Sequence, residues 1–463
     1  MYKIFYKPDD GAAADFIPFW HDGKFRLFYL KDWRDIENHG EGVAWFQLST
    51  DDFINFEELG ESLQRGTPEE QDLYVFTGSV IKLKADNKFY IFYTGHNPRF
   101  APLDKPVEGI MRAVSDDLIK WDKLSEDTFY ADASKYETQD FRDSFVFYDE
   151  NKQKYCMLLV SRKKDSGHHS GFTALYTSSD LREWTDEGDF WSPCLYHTHE
   201  CPDLFKMGDW WYLIYSEYSD KSMTRYVMSK NQYGPWEIPS DDSFDGRAYY
   251  AAKSYSDESE KRYLFGWIPT KTGNNDYNGW MWGGNLAVHE IFQRENGTLG
   301  CRLPLSIDKQ WKIKSNSDKK ITVSNHYGKA SELLFGETEN TFRVDMRLSF
   351  TEGTKQFGIA FCQDFEENNG YKYAFLPYQN TVRFDCEKNC VNTKDVTRQI
   401  DLSGGNPVDI TLIADNDICV MYINNDIALS SRMYNQGGRD ISFFAIGGEA
   451  FAENIKLYDI NIV

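Results

Sequence analysis

At 463 residues the chain exceeds what one ordinary hydrophobic core supports, so two domains are expected. Its 51 Lys and Arg against 73 Asp and Glu give a net charge of −22, which excludes nucleic acid and anionic membrane as partners, because both demand a surplus of cations. Aromatic residues make up 16% of the chain, and their faces serve sugar rings as well as cores.

In chain order, residues 1–10 contain no apolar leader core and no later run is long enough to span a bilayer, which predicts a cytoplasmic protein. Asp15 follows in Ala12-Ala13-Ala14-Asp15-Phe16-Ile17-Pro18, just ahead of a predicted strand. That strand, Lys24-Phe25-Arg26-Leu27-Phe28-Tyr29-Leu30, is echoed at 88–94, 154–160, 210–216 and 261–267. Each copy is an aromatic and β-branched run after a turn-rich segment. Ser49-Thr50-Asp51-Asp52-Phe53, Ser115-Asp116-Asp117-Leu118 and Ser178-Ser179-Asp180-Leu181 follow the first three copies. A unit recurring every roughly 50–65 residues has the period of a propeller blade, and five copies predict five blades over residues 1–304.

Within this frame stand three acids: Asp15, Asp143 after Arg142, and Glu200 in His199-Glu200-Cys201-Pro202-Asp203. Inner strands of a propeller converge on one axis, so acids far apart in sequence meet there. Such carboxylates suit glycosidic cleavage, where one protonates the leaving oxygen and another handles the developing positive charge. After Pro304 the polar, Lys-rich stretch 305–325 reads as a linker. Alternating short strands from Phe342 onward predict a β-sandwich over 326–463. The fold class is therefore all-β: a five-bladed β-propeller followed by a C-terminal β-sandwich. The eight cysteines lack disulfide-framework density and read as reduced thiols. Cys386 and Cys390 lie close together without a second His or Cys pair for zinc, and read as structural.

On these residues the chain resembles glycoside hydrolase family 32, the invertases, levanases, inulinases and related fructosyl enzymes, over nearly its whole length. Arg142-Asp143 resembles the family's Arg-Asp-Pro motif with Ser144 in place of proline, and Glu200-Cys201 matches its Glu-Cys motif. Phe76-Thr77-Gly78-Ser79 is similar to its Phe-Ser-Gly-Ser segment. The runs 264–269 and 282–286 resemble its fifth-blade signatures, and 247–253 its Asp-Phe-Tyr-Ala region. The resemblance implies a nucleophile at Asp15, a transition-state stabiliser at Asp143 and an acid/base at Glu200. Arg142, Asp203, Ser79, Phe76, Trp282 and Tyr250 become substrate-binding or supporting residues. Ala12-Ala13-Ala14 departs from the family's Trp-Met-Asn, and Leu30 stands where a Gln is usual; such losses of polar donors change the accepted substrate.

The expected activity is retaining, β-fructofuranosidase-type hydrolysis of a short fructose-containing oligosaccharide, through a fructosyl-enzyme and without cofactor or metal. The rivals are an inverting arabinosidase or xylosidase of propeller type, a fructosyltransferase, and a catalytically silent carbohydrate-binding protein. Phe19, Trp20, Trp33 and Trp45 read as core before sugar platforms, His96, Arg99, His168 and His169 as solvated loops, and Arg162-Lys163-Lys164 as surface rather than a sugar-phosphate site. The sequence carries no oligomeric seam, leaving monomer and dimer open.

Overall fold

The computed structural model describes residues 2–84, 86–219, 221–364, 369–386 and 395–461. It is almost entirely β, with helix limited to short turns such as Ile36–His39 and Leu305–Asp308. Among the described residues no helix is long and apolar enough to cross a membrane.

Successive antiparallel meanders make up the first two thirds. The first comprises β1 (Ala12–His21), β2 (Lys24–Asp32), β3 (Ala44–Thr50) and β4 (Glu57–Leu63). The second comprises β5 (Tyr74–Lys82), β6 (Phe89–His96), β7 (Glu108–Ser115) and β8 (Asp122–Lys123). Next come β9 (Arg142–Asp149), β10 (Lys154–Arg162), β11 (Gly171–Ser178) and β12 (Thr185–Trp191), then β13 (Thr198–Met207), β14 (Trp210–Tyr218) and β15 (Met223–Ser229). The last comprises β16 (Tyr250–Ser256), β17 (Arg262–Lys271), β18 (Trp280–Gln293) and β19 (Leu299–Arg302). The echoed aromatic runs are the second strands, β2, β6, β10, β14 and β17, buried on both faces between neighbouring meanders.

The first strands touch in order, β1 to β5, β5 to β9, β9 to β13 and β13 to β16, and β16 touches β1, so the meanders form a closed ring. Closure is sealed where Ala13 of β1 pairs with Gly284 of β18. Gly284 is required there, since a Cβ would sit 1.8 Å from the Ile268 carbonyl oxygen. The three alanines before Asp15 are wholly buried, and a Cβ on Gly283 would contact those of Ala12 and Ala14. Small residues on both sides thus let first and last strands approach closely.

On the outer side, each Ser-Asp turn works as a local device. The Thr50, Ser115 and Ser178 hydroxyls each accept two backbone N–H groups, and Asp52, Asp117 and Asp180 accept the next two. The intervening Phe53, Leu118 and Leu181 take left-handed backbone (φ 63°, 65° and 64°) and bury their side chains. Short polar side chains offer the chain this alternative to a ladder.

The chain continues into β20 (Trp311–Ser317), β21 (Ile321–Phe335), β22 (Thr341–Phe350), β23 (Gln356–Asp364), β24 (Asn369–Leu376), β25 (Thr381–Cys386) and β26 (Thr397–Gln399). It ends in β27 (Val408–Asp415), β28 (Ile418–Ile423), β29 (Ile427–Arg432) and the long β30 (Asp440–Ile460). β30 pairs with β20, β21, β22 and β23 and joins the whole module. Residues 305–325 are therefore not a linker: after the Leu305–Asp308 turn they form β20 and the start of β21, both held by β30. Their polar composition misleads because most of these residues face solvent on one side of a paired strand. Nor are all thiols reduced, since Cys386 is disulfide-bonded; Cys390 lies outside the described residues.

Ring and C-terminal module share one core, in which Ile413, Val420 and Tyr422 pack with Tyr249 and Leu286. Arg432, wholly buried, donates to the Ile268 and Pro269 carbonyls and to Asn285, and pairs with Asp417. Every nitrogen of this buried guanidinium thus has a partner, as a charge removed from water requires.

Candidate active site

The same irregularity marks every first strand of the ring. Register shifts fall between Ala14 and Ile17 in β1, Phe76 and Gly78 in β5, Glu200 and Asp203 in β13, and Tyr250 and Lys253 in β16. In β9 the partner register slips between Leu158 and Val160, opposite Arg142. Asp15, Asp143, Cys201 and Ala251 take positive φ of 45°, 58°, 53° and 51° at these bulges. A bulge bends its strand and re-aims a side chain, and left-handed backbone in non-glycine residues costs of order 1 kcal/mol or more each. At Gly78 the approach is so close that a Cβ would lie 1.8 Å from the Phe92 carbonyl oxygen.

These bulges turn Asp15, Asp143 and Glu200 into one cavity of about 530 Å³, whose walls also include Arg142, Phe76, Tyr250, Trp282 and Trp33. Both oxygens of Asp15 are engaged: Oδ2 accepts the Thr77 hydroxyl at 2.5 Å and Oδ1 accepts Trp267 Nε1–H at 3.0 Å. Burial lifts the Asp15 carboxyl to about 6, with the Glu200 charge adding to the rise, while the two donors pull it down. Asp143 Oδ2 accepts the Cys201 backbone N–H at 3.0 Å, and Asp143 N–H donates to Thr94 Oγ1 at 2.9 Å. Burial raises this carboxyl as well, and the Glu200 and Asp15 charges reinforce burial against Arg142.

Glu200 is clamped from two sides. Arg142 Nη2 donates to its Oε1 at 2.6 Å, and the Tyr250 hydroxyl donates to its Oε2 at 2.6 Å. Arg142 is itself held by Asp140 at 2.8 Å and by Glu108 at 3.6 Å. Burial alone would depress this guanidinium, but Glu108, Glu200, Asp143 and Asp140 outweigh it and keep it charged. Burial and the Glu200 charge hold Tyr250 as the neutral phenol, the form that donates. The Tyr250 hydroxyl also lies 3.5 Å from the Glu217 carbonyl oxygen, an alternative acceptor when Glu200 carries a proton.

Of the site residues expected from sequence, seven meet in this cavity and two do not. Asp203 is buried beneath it, where its carboxylate accepts the Ser254 N–H and hydroxyl. The Ser79 hydroxyl is spent on the Val146 N–H, tying β5 to β9. Phe19 and Trp45 are core, whereas Trp33 reaches the cavity wall. Thr77 and Trp267, the two donors to Asp15, were hidden inside motifs whose neighbours drew attention. Lys253 was missed too: its ammonium is buried behind the acids and donates to the Pro202 carbonyl at 2.9 Å. His199, beside Glu200, points away into Trp191, Tyr196 and Tyr215, and burial lowers it to about 3, so it stays neutral.

The chain is similar to known proteins over most of its length. Residues 14–298 match the model of the glycosyl hydrolases family 32 N-terminal domain. The chain is 22% identical to a sucrose-6-phosphate hydrolase of Escherichia coli, over 95% of this chain and 91% of the relative. It is 24% identical to a levanbiose-producing levanase of Bacillus subtilis strain 168, over 97% and 91%. Among solved structures, a sucrose-6-phosphate hydrolase from Lactobacillus gasseri superposes with a TM-score of 0.77 at 16% identity, covering 100% of this chain and 93% of that one. An exo-inulinase from Aspergillus awamori also gives 0.77, at 17% identity and coverage of 99% and 98%.

Proposed function

We propose that this chain, which belongs to glycosyl hydrolase family 32, is a retaining β-fructofuranosidase-type hydrolase acting on a short fructose-containing oligosaccharide. In this reading the ring is a five-bladed β-propeller and the C-terminal module a β-sandwich, with the boundary near Pro304. The observation that carries it is the clamped Glu200 facing, in one cavity, an Asp15 whose two oxygens each receive a donor. The family relatives include enzymes named for sucrose 6-phosphate and for levan, both fructosides.

Chemistry follows from the proton inventory. An Asp15 oxygen attacks the anomeric carbon of the terminal fructosyl unit while the bond to the leaving oxygen breaks and the Glu200 carboxyl gives that oxygen its proton. Glu200, now a carboxylate, takes a proton from water, whose oxygen displaces Asp15 from the anomeric carbon. Two inversions give net retention. Thr77 and Trp267 stabilise the ionised Asp15 that attack requires, and Tyr250 follows the Glu200 proton by turning between Oε2 and the Glu217 carbonyl. Asp143, fixed by the Cys201 N–H, is placed to hold sugar hydroxyls and the developing positive charge. Proton NMR of sucrose and fructo-oligosaccharide digests tests the assignment: the first-formed fructose anomer is expected to retain the substrate configuration. An inverted first product, or full turnover by Glu200→Gln, would refute it.

A further inference from the structure

A second recess of about 670 Å³ adjoins the acid cavity and shares Tyr218, Tyr250 and Trp282 with it. Its own walls include Trp280, Trp267 and His197. Tyr250, the residue that holds Glu200, stands at the junction, so the recess opens beside the acid/base of the proposed reaction, on the leaving-group side. Each space lies within the range of small-ligand pockets, and together they exceed what one terminal sugar needs. Trp282, 38% exposed, stands between them and presents aromatic surface to both. Broad aromatic faces with few polar groups suit the apolar faces of sugar rings.

Charge decides what kind of sugar enters. The acid cavity is lined by six carboxylates against two arginines. Arg142 is taken by Glu200 and Asp140, and Arg34 donates to the Trp282 and Gly283 carbonyls beside Asp32 at 3.6 Å. In the second recess Arg247 is paired with Asp395 at 2.8 Å, and His197 lies 3.8 Å from Asp140. Among the described residues, no Arg or Lys lining either space lacks a carboxylate neighbour. The basic run beyond the rim is committed as well: Arg162 binds Asp140, Lys163 binds Asp189, and Lys164 donates to the Ala133 carbonyl. In the acid cavity a phosphate dianion would meet net negative charge in a partly desolvated space, where repulsion between like charges is strongest. Among the described residues the second recess has no carboxylate in its lining, but its one arginine is already neutralised by Asp395 and leaves no uncommitted guanidinium to receive a phosphate.

We infer that the substrate is an uncharged oligosaccharide of three or more sugar units, whose leaving portion lies in the second recess against Trp280 and Trp282, and that phosphorylated sugars are refused. This rests on the fructosidase reading of the acids, and it separates the chain from its sucrose-6-phosphate hydrolase relatives by substrate charge.

The test compares kcat/KM for sucrose, 1-kestose, 6-kestose and sucrose 6-phosphate in the wild type and in Trp280→Ala, a residue of the second recess alone. At least one trisaccharide is expected to exceed sucrose about tenfold, and sucrose 6-phosphate to fall about tenfold or more below it. Trp280→Ala is expected to remove the trisaccharide advantage, lowering kcat/KM for the trisaccharides about tenfold more than for sucrose, with its circular dichroism spectrum and melting temperature checking that the variant folds. The inference is overturned if sucrose 6-phosphate is the better disaccharide, if the trisaccharides show no advantage, or if Trp280→Ala keeps it. Calorimetric Kd values for the same sugars on Glu200→Gln protein read the same order without turnover. Tight binding in the expected order with no fructose release from wild type would strike the catalytic reading alone. A reversed order with fructose released would strike this inference alone.

Discussion

The ring carries two kinds of site where the backbone turns left-handed, outer turns in the first three meanders and inner bulges in the first, third, fourth and fifth, and they are built in opposite ways. The outer turns at Phe53, Leu118 and Leu181 are self-contained: a hydroxyl and a carboxylate from the same six residues satisfy four backbone amides, and an apolar side chain is buried. The inner bulges at Asp15, Asp143, Cys201 and Ala251 carry three different kinds of side chain, and their supports come from other meanders. Thr77 of β5 supports Asp15 of β1, Thr94 of β6 supports Asp143 of β9, and Asp143 in turn accepts from Cys201 of β13. Local chemistry repeats where its task is only to turn the chain. Where the task is to place a reacting group, the geometry repeats and the residues diverge.

The largest effects should come from breaking the inner set. Asp15→Asn is expected to lower kcat by about 10³-fold or more, as loss of a covalent nucleophile does, while raising thermal stability. The sign follows from the carboxyl lifted to about 6. Above that pH the folded protein carries a buried charge that the unfolded chain holds more easily, and the cost is relieved as pH falls through 6 toward the unfolded value. The gain should be about 1–3 kcal/mol at pH 8 and vanish near pH 4, read by melting curves across that interval. Next in size, Thr77→Val removes one donor to Asp15 and should lower kcat/KM about 10–100-fold at neutral pH. In the wild type kcat/KM should fall tenfold per pH unit below about 6 as the nucleophile protonates. Losing a donor to the ionised form must move that acid limb to higher pH. A limb that stays put would show that Thr77 does not hold the nucleophile.

The contrast also explains what could be read from sequence. The second strands and outer turns were legible because burial on both faces demands unbroken aromatic and aliphatic runs, and because Ser-x-Asp turns are written in contiguous residues. Asp15, Asp143 and Glu200 stood out because three acids on separate segments of one β-rich chain suit glycosidic cleavage, and because Arg142-Asp143 and Glu200-Cys201 resemble family motifs. Thr77 and Trp267 stayed silent because a donor to a carboxylate 62 or 252 residues away leaves no local mark. Asp203 and Ser79 misled for the converse reason: they sit in motif positions yet spend their polar atoms on the backbone of neighbouring strands. The stretch 305–325 read as linker because a strand packed on one side only has too few apolar residues to declare itself.

The smallest effect tests the outer set. Ser178→Ala deletes a hydroxyl that accepts from Leu181 N–H at 2.9 Å and Asp180 N–H at 3.2 Å, and it leaves Asp180 to cap the next two amides. Leu181 is buried, so its freed amide finds no easy replacement in water. Loss of such a cap costs about 1 kcal/mol, measurable as a modest shift of the denaturant midpoint. Because β11 and β12 meet at this turn on the far side of the meander from Asp143, kcat and KM should both remain unchanged. If Ser178→Ala altered the pH profile instead, outer turn and inner bulge would be coupled through β10, and the division of labour between them would fail. A loss of stability with an intact acid limb is what independent outer and inner devices require.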